Sequence, residues 1–338
     1  MIALRRALVS VPEVEVRDDL AEAIADSARF LGSDAALRSL DADPYWPKWE
    51  APWWHMLLLW ELGEARRIPE RVVARVIDAV DALPVKIFPT RREEMAGIDL
   101  ERDCVCHCAL GSLHQVLAAC GVDAGAALPW SMWFARYQMA DGGLSCDSEA
   151  YLVEHECPSS MVGTVAPFEA MLLGAWTPER RAFLARAAGF LIGRRLSLGS
   201  ASAHNAEERA AAIGWRAPCF PRFYFYDVLR GLAALVRWAE LGGGAIPVEA
   251  IRGVVEHLVA AYPDGAIPVA RHGFAAAPTT LRRDAAGSWA RGSTGSFPLL
   301  AATSAIGAPS AALTRQWAAT RRSLIALIDD GRIAGITD

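Results

Sequence analysis

The sequence predicts an all-α protein, a barrel of about five to six inner and outer helix pairs around a central cavity. Three observations predict it. Several segments repeat apolar residues at three- and four-residue steps, which gives a helix one apolar face. Other segments are apolar on nearly every face, and such helices must be buried on every side. The two kinds alternate about five times, at intervals of roughly 55–70 residues, as one repeated unit would. An inner ring of buried helices inside an outer ring of one-sided ones satisfies both kinds, and closure removes the ends that a solenoid has to cap. Stretches of alternating apolar and polar residues are scarce, so few strands are expected.

In chain order, residues 1–45 form an N-terminal helix and an approach segment, 46–330 the barrel, and 331–338 a tail, all one domain. Met1–Val16 has its apolar run broken by Pro12 and Glu13, so it reads as neither signal peptide nor anchor. A helix near Asp18–Leu31 completes the outer ring. Trp49–Gly63 is the first buried segment. Ile68, Val72, Val73, Val76, Ile77 and Val80 then form a stripe that leaves Arg71, Arg75, Asp78 and Asp81 to water. Asp103–Gly121 and Cys157–Gly174 are buried segments again. Thr177-Pro178, a capping side chain followed by proline, opens a one-sided helix carrying Phe183, Leu184, Ala187, Ala188 and Leu191. Phe220–Leu241 is buried, Ile251 to Tyr262 is one-sided, and Ser293–Gly307 is the last buried segment. Gly63, Gly121 and Gly174 stand where a helix C-terminus turns left-handed.

Composition narrows the function. The chain is 53% hydrophobic and 22% charged, which excludes a disordered protein. A net charge of −5 with no basic stripe argues against nucleic acid. No run approaches the ~18 apolar residues of a membrane span. Twelve Trp exceed what packing asks for and point to an aromatic-lined pocket for a hydrophobic or aromatic small molecule. Seven Cys, an odd number clustered between Cys104 and Cys157 with Cys219 beyond, suit reduced thiols in the cytoplasm better than a disulfide framework.

Some stretches resemble a known superfamily. Trp133-Phe134-Ala135-Arg136-Tyr137-Gln138, followed by Met139-Ala140-Asp141-Gly142-Gly143-Leu144, resembles the repeated glutamine–tryptophan motif of squalene and oxidosqualene cyclases, with Leu144 where the motif has Trp. Phe220 to Leu232 is similar to an inner helix of bacterial prenyltransferase-like and squalene-cyclase-like proteins, and Cys157 to Thr164 to the start of another. The resemblance implies the α/α toroid shared by terpene cyclases and protein prenyltransferases; fold alone does not imply activity. The acid that would protonate an alkene belongs to an Asp-x-Asp-Asp motif, and Asp41-Ala42-Asp43-Pro44 lacks its last member. Asp18-Asp19-Leu20-Ala21-Glu22 has the letters of a magnesium-binding helix, but acids there also simply complement the helix dipole.

The densest polar constellation is Asp103, Cys104, Cys106, His107, Cys108 and His114. On a helix, Asp103, His107 and His114 share a face, with Cys104 beside them and Gly111 leaving room. The prenyltransferase resemblance implies a catalytic zinc held by Asp, Cys and His. Asp103, Cys104 and His107, with Cys157 from a neighbouring helix start, are the ligand set expected on that basis; Cys106, Cys146, Asp147, His155 and Cys219 are further donors. An open three-ligand site leaves a position for substrate or water. A metal-free alternative uses His107 as a base oriented by Asp103, with Cys104 or Cys106 as nucleophile. The plain alternative is packing, in which Cys106, Cys108 and Cys120 act as small hydrophobes.

Trp46, Trp49, Trp53, Trp54 and His55 crowd one helix start, as a pocket wall or as core. Tyr224, Tyr226, Asp227 and Arg230 gather at another, where an Asp227–Arg230 pair can tie helix to helix or do acid–base work. Ser159, Ser160 and Thr164 read as caps, Asp141-Gly142-Gly143 as a turn, and His204 as part of a loop able to cover the cavity mouth. The expected catalytic set is Asp103, Cys104, Cys106, His107, Tyr226 and Asp227. The expected substrate contacts are Trp49, Trp53, Trp54, His55, His114, Ser160, Tyr224 and Arg230. They describe an enzyme acting on a hydrophobic or aromatic small molecule, with zinc as cofactor. The alternatives are a metal-free cyclase, isomerase or lyase of natural-product metabolism, and a non-catalytic carrier.

Overall fold

The computed structural model describes residues 1–86 and 96–335. Its α-helices, in chain order, are α1 (Ile2–Ser10), α2 (Ala21–Leu31), α3 (Asp34–Ala42), α4 (Pro52–Glu61), α5 (Glu70–Asp81), α6 (His107–Ala119), α7 (Ala124–Ala127), α8 (Met161–Met171), α9 (Pro178–Gly193), α10 (Ala206–Ala212), α11 (Val228–Glu240), α12 (Val248–Ala261), α13 (Pro298–Thr303) and α14 (Ala311–Asp329). The protein is mostly helical, as its apolar periodicity predicts. Gly63, Gly121 and Gly174 take φ of +83°, +81° and +78° just beyond α4, α6 and α8, where any other residue would meet steric strain.

The charge-poor segments are the buried ones. Every residue from Pro52 to Leu59 of α4 and from His107 to Leu117 of α6 is buried, and α8 is nearly so. Helix α4 packs on α6, α6 on α8, α8 on α11, and α11 on α14. All five contribute to a common cavity of about 260 Å³, through Glu61, Gln115, Glu169, Arg230 and Gln316. The one-sided helices lie further out: α5 against α3, α9 against α8 and α11, and α12 against α1 and α11. Val72, Val73, Val76 and Val80 are the buried stripe of α5.

The last expected inner helix differs. Ser293–Gly307 is helical only over α13, which packs on α2, and α14 takes the place beside α11. Ahead of α13 the chain forms a hairpin that the sequence reading did not anticipate: β1 (Thr279–Arg283) pairs antiparallel with β2 (Trp289–Ser293). Its turn is signalled by Asp284, whose Oδ1 accepts from Ala286 and Ser288, and by Gly287 at φ +82°. Two-residue strands at Ile246–Pro247 and Ile333–Ala334 pair in parallel, so residues 331–335 are tied back to the fold; residues 336–338 of the expected tail lie outside the described residues. No helix among the described residues is long and apolar enough to cross a membrane.

The tightest helix contact is α6 on α8. A Cβ on Gly111 would lie 2.4 Å from both Ala166 C and Pro167 N, which are backbone atoms and cannot swing aside. Gly111→Ala therefore lowers stability by about 2–3 kcal/mol through overpacking. Gly189→Ala, on the exposed face of α9 with nothing within 4 Å of the new methyl, raises it by about 0.5–1 kcal/mol through helix propensity. Denaturant midpoints of the two variants check both signs.

Candidate metal centre

The α6–α8 contact fixes where three cysteines meet. Cys106 precedes the first residue of α6 in extended conformation, and Cys108 lies in its first turn. Cys146 comes from a segment held across the start of α8. There Leu144 O accepts from Ser160 N at 2.8 Å, Leu144 N donates to Thr164 Oγ1 at 2.9 Å, and Ser160 Oγ caps α8 by accepting from Gly163 N. Gly163 has no side chain because a Cβ would sit 2.7 Å from Leu144 O and 2.9 Å from Ser145 Cα. His107 ties this segment to α6, with Nδ1 2.8 Å from Ser145 O and 3.1 Å from Tyr151 Oη.

As a result the Sγ atoms of Cys106, Cys108 and Cys146 all lie within 4.8 Å of one another, and those of Cys106 and Cys108 are 3.2 Å apart. A tetrahedral zinc with sulfur at ~2.3 Å separates its ligand sulfurs by about 3.8 Å, so this spacing suits a metal ion. Hydrogen bonds from the Cys108 and Cys146 thiols, with a further one from the Ala109 N–H, hold Cys106 well below the usual thiol range. The same sharing pushes Cys108 and Cys146 up. Three sulfurs converging at a helix N-terminus, one of them favoured as thiolate by hydrogen bonds from the other two, are a soft donor set suited to a cation.

The cluster borders a cavity of about 250 Å³ lined by Tyr45, Trp46, Lys48, Glu101, Cys106 and Cys146, among others. Lys48 Nζ is 3.0 Å from Tyr224 Oη and lies 5.1–5.6 Å from the ring centres of Tyr45, Trp46, Trp49 and Tyr224. Burial lowers its pKa, against the opposing pull of Cys106, Cys108 and Glu101. Sequence reasoning passed over Lys48. The signal was present, since the chain has two lysines and thirty-two arginines.

The expected ligand set is not brought together. Asp103 lies ahead of α6 rather than on it, because the helix begins at His107; its Oδ2 accepts from Asp99 N at 2.8 Å. The Cys104 thiol bonds Leu100 O at 3.5 Å, and burial pushes it to about 12, far from a thiolate. His107 is fully buried, and its Nδ1 orients the Cys146 segment through Ser145. Cys157, half-buried, is not among the clustered thiols. Of the residues expected to carry chemistry here, Cys106 alone belongs to the cluster; Cys108 was weighed as packing and Cys146 as a spare donor.

The second expected acid–base group is a structural network. Asp227 caps α11 by accepting from Arg230 N at 2.9 Å, and its carboxylate pairs with Arg222 at 2.7 Å rather than with the Arg230 guanidinium. An N-cap side chain turns back onto its own helix, which points it away from the side chain one turn on. Arg230 instead pairs with Glu169 across to α8 at 2.6 Å, and Tyr226 donates to Leu196 O at 2.7 Å. Glu61 accepts from the backbone N–H groups of Arg222 and Phe223, and burial lifts its carboxyl to about 7. Trp49 stacks on Phe223 at 5.1 Å, Trp54 meets both rings edge-on, and Trp53 is buried. Trp49 and Trp53 are both core, although the Trp49 ring centre lies 5.4 Å from Lys48 Nζ. His55 is stacked on Phe297 with Nδ1 3.2 Å from Ser27 Oγ, and Ser160 is a cap. His204 Nε2 lies 2.8 Å from Asp147 Oδ2, the residue after Cys146 in sequence.

His114 Nε2 is 2.6 Å from Ser131 Oγ, and burial depresses the imidazole to about 4. Below pH 6.5 the unfolded chain takes up a proton that the buried ring refuses. Its contribution is therefore complete above about pH 6.5 and is lost as pH falls toward 4. His114→Gln should lose about 2 kcal/mol less than the parent over that interval, read from urea midpoints at pH 7 and pH 4.5.

No family model, curated protein or solved structure matches the chain, so its site is read from its own atoms.

Proposed function

We propose that the chain is an enzyme of the α/α-toroid type that holds a zinc ion on Cys106, Cys108 and Cys146 and acts on a hydrophobic or aromatic small molecule in the adjoining cavity. The observation that carries this reading is the convergence of three thiols within 4.8 Å beside a lysine-bearing, aromatic-walled cavity. Soft thiolates select zinc over harder cations, and three protein ligands rather than four leave a position for substrate or water. Closure into a ring is supported by the succession α4–α6–α8–α11–α14 and by Arg315 of α14, whose guanidinium reaches Leu62 O just past α4 at 3.5 Å. The resemblance to squalene cyclases and prenyltransferases agrees with that architecture. Asp41-Ala42-Asp43-Pro44 lacks the last acid of the Asp-x-Asp-Asp motif, which turns the reading away from proton-initiated cyclisation.

Bound zinc would supply Lewis acidity at its open position. The chain's own groups do the rest. Tyr45 and Trp46 line the cavity with aromatic rings, and Lys48 with Tyr224 offers a hydrogen-bonded donor pair beside the thiols. His107 and Tyr151 hold the Ser145 carbonyl and so set the position of Cys146. Reduced thiols in this number suit the cytoplasm. A second reading rests on the place of Cys106 at a helix N-terminus beside two other thiols: without a metal, hydrogen bonds from Cys108 and Cys146 favour its thiolate as a nucleophile.

Protein purified without chelator should carry about one zinc per chain. Cys106→Ser, Cys108→Ser and Cys146→Ser should each lose it, while Asp103→Ala and Cys104→Ser keep it, with cobalt substitution giving a thiolate charge-transfer band only in the second group. Zinc that persists in the triple serine variant, or never binds the parent, overturns the metal reading. Absence of zinc together with selective alkylation of Cys106 would favour the nucleophile instead.

A further inference from the structure

Lys48 is one of two lysines in a chain with thirty-two arginines. In such a chain a lysine set in a cavity supplies what a guanidinium cannot, because only an amine gives up its proton and becomes a nucleophile. The two lysines differ in setting. Lys86 Nζ lies 3.7 Å from the Asp81 carboxylate at the surface. Lys48 Nζ bonds a phenol, that of Tyr224, at 3.0 Å and opens on the cavity that Cys106 and Cys146 share. Its main chain is held from both sides by the hairpin region: Lys48 N donates to Thr280 Oγ1 at 2.6 Å, and Lys48 O accepts from Gly295 N at 3.0 Å. The side chain is therefore presented on a fixed base into a pocket with aromatic walls.

We propose that Lys48 is a nucleophilic amine that condenses with the carbonyl group of an aromatic or unsaturated aldehyde or ketone bound in this cavity. In the step, the Nζ lone pair bonds to the carbonyl carbon while the C=O π pair moves to oxygen, which takes a proton. The carbinolamine then loses its hydroxyl together with the remaining Nζ proton as one water molecule and leaves an imine on Nζ, with no oxidant or reductant consumed. Tyr224 Oη, already hydrogen-bonded to Nζ, is placed to pass the proton from nitrogen to the departing oxygen. Tyr45 and Trp46, which line the cavity, give a planar unsaturated body aromatic surface to lie against. Desolvation favours the neutral amine, while Cys106, Cys108 and Glu101 act in the other direction. The proposal shares its cavity with the zinc reading and names the substrate class for it, but the amine step needs no metal.

The test uses the full chain with benzaldehyde as probe and cyanoborohydride to fix any imine as a stable benzylamine, located by peptide mass mapping. Lys48 should be modified at least about tenfold faster than Lys86, which serves as the internal reference. Lys48→Arg, with an unchanged circular dichroism spectrum, should remove the fast adduct, and Tyr224→Phe should slow its formation severalfold without moving it. Modification of Lys48 no faster than Lys86, or none at all, overturns the proposal. Zinc content measured on the same samples separates the two readings: fast labelling of a chain that never binds zinc leaves the amine and removes the metal, and zinc bound by a chain whose Lys48 stays unlabelled does the reverse.

Discussion

The close approach of α6 and α8 governs this protein. With a bare Cα at Gly111 set against the Ala166–Pro167 backbone, two helices that carry almost no charge lie nearer than side chains would permit. Such contact gains dispersion energy along its whole length and leaves no room for water. It also brings the N-terminal ends of both helices to one place. Everything of chemical interest follows from that: Cys106 and Cys108 start one helix, and Cys146 lies on the segment strapped to the start of the other.

The interior separates two polar regions with different roles. In the cavity shared by α4, α6, α8, α11 and α14, Arg222 and Arg230 are matched by Asp227 and Glu169, and Gln115 and Gln316 complete the hydrogen bonding. Charges so thoroughly paired resist removal of either partner yet offer little to a ligand, because each has spent its capacity on its neighbour. Around the thiols the groups are less committed. Sulfur donates weakly, so a cluster of three is held by geometry more than by its own hydrogen bonds. Lys48 has a phenol as partner where the arginines have carboxylates. A region whose geometry is imposed from outside, by His107, Tyr151 and the α8 cap, is the one suited to bind something.

Much of the helical layout was legible in the sequence because burial on all faces leaves a plain mark. The charge-poor runs at 52–61, 107–119, 161–171 and 228–240 are the interior helices, and glycines close three of them. The hairpin at 279–293 was not legible, since Thr279 to Arg283 mixes polar and charged residues and its partner strand is mostly exposed. The cysteine cluster was half legible. Its first two members were visible as neighbours in sequence, but a helical projection drawn from Asp103 assumed that the helix began four residues too early. With α6 starting at His107, Asp103 and Cys104 fall outside the helix and a loop cysteine takes their place. Cys146 comes to the site through the Leu144–Ser160 pairing, a long-range contact with no local periodicity to reveal it. Asp227 and Arg230 show the opposite error, since capping consumed a side chain that spacing alone had paired.

The central claim is that three sulfurs from α6 and the 144–146 segment form one open centre. X-ray absorption at the zinc edge of the metal-loaded chain tests it most directly. The account predicts about three sulfur neighbours at ~2.3 Å and one lighter oxygen or nitrogen neighbour. A shell of oxygen and nitrogen alone, or of four sulfurs, would contradict it.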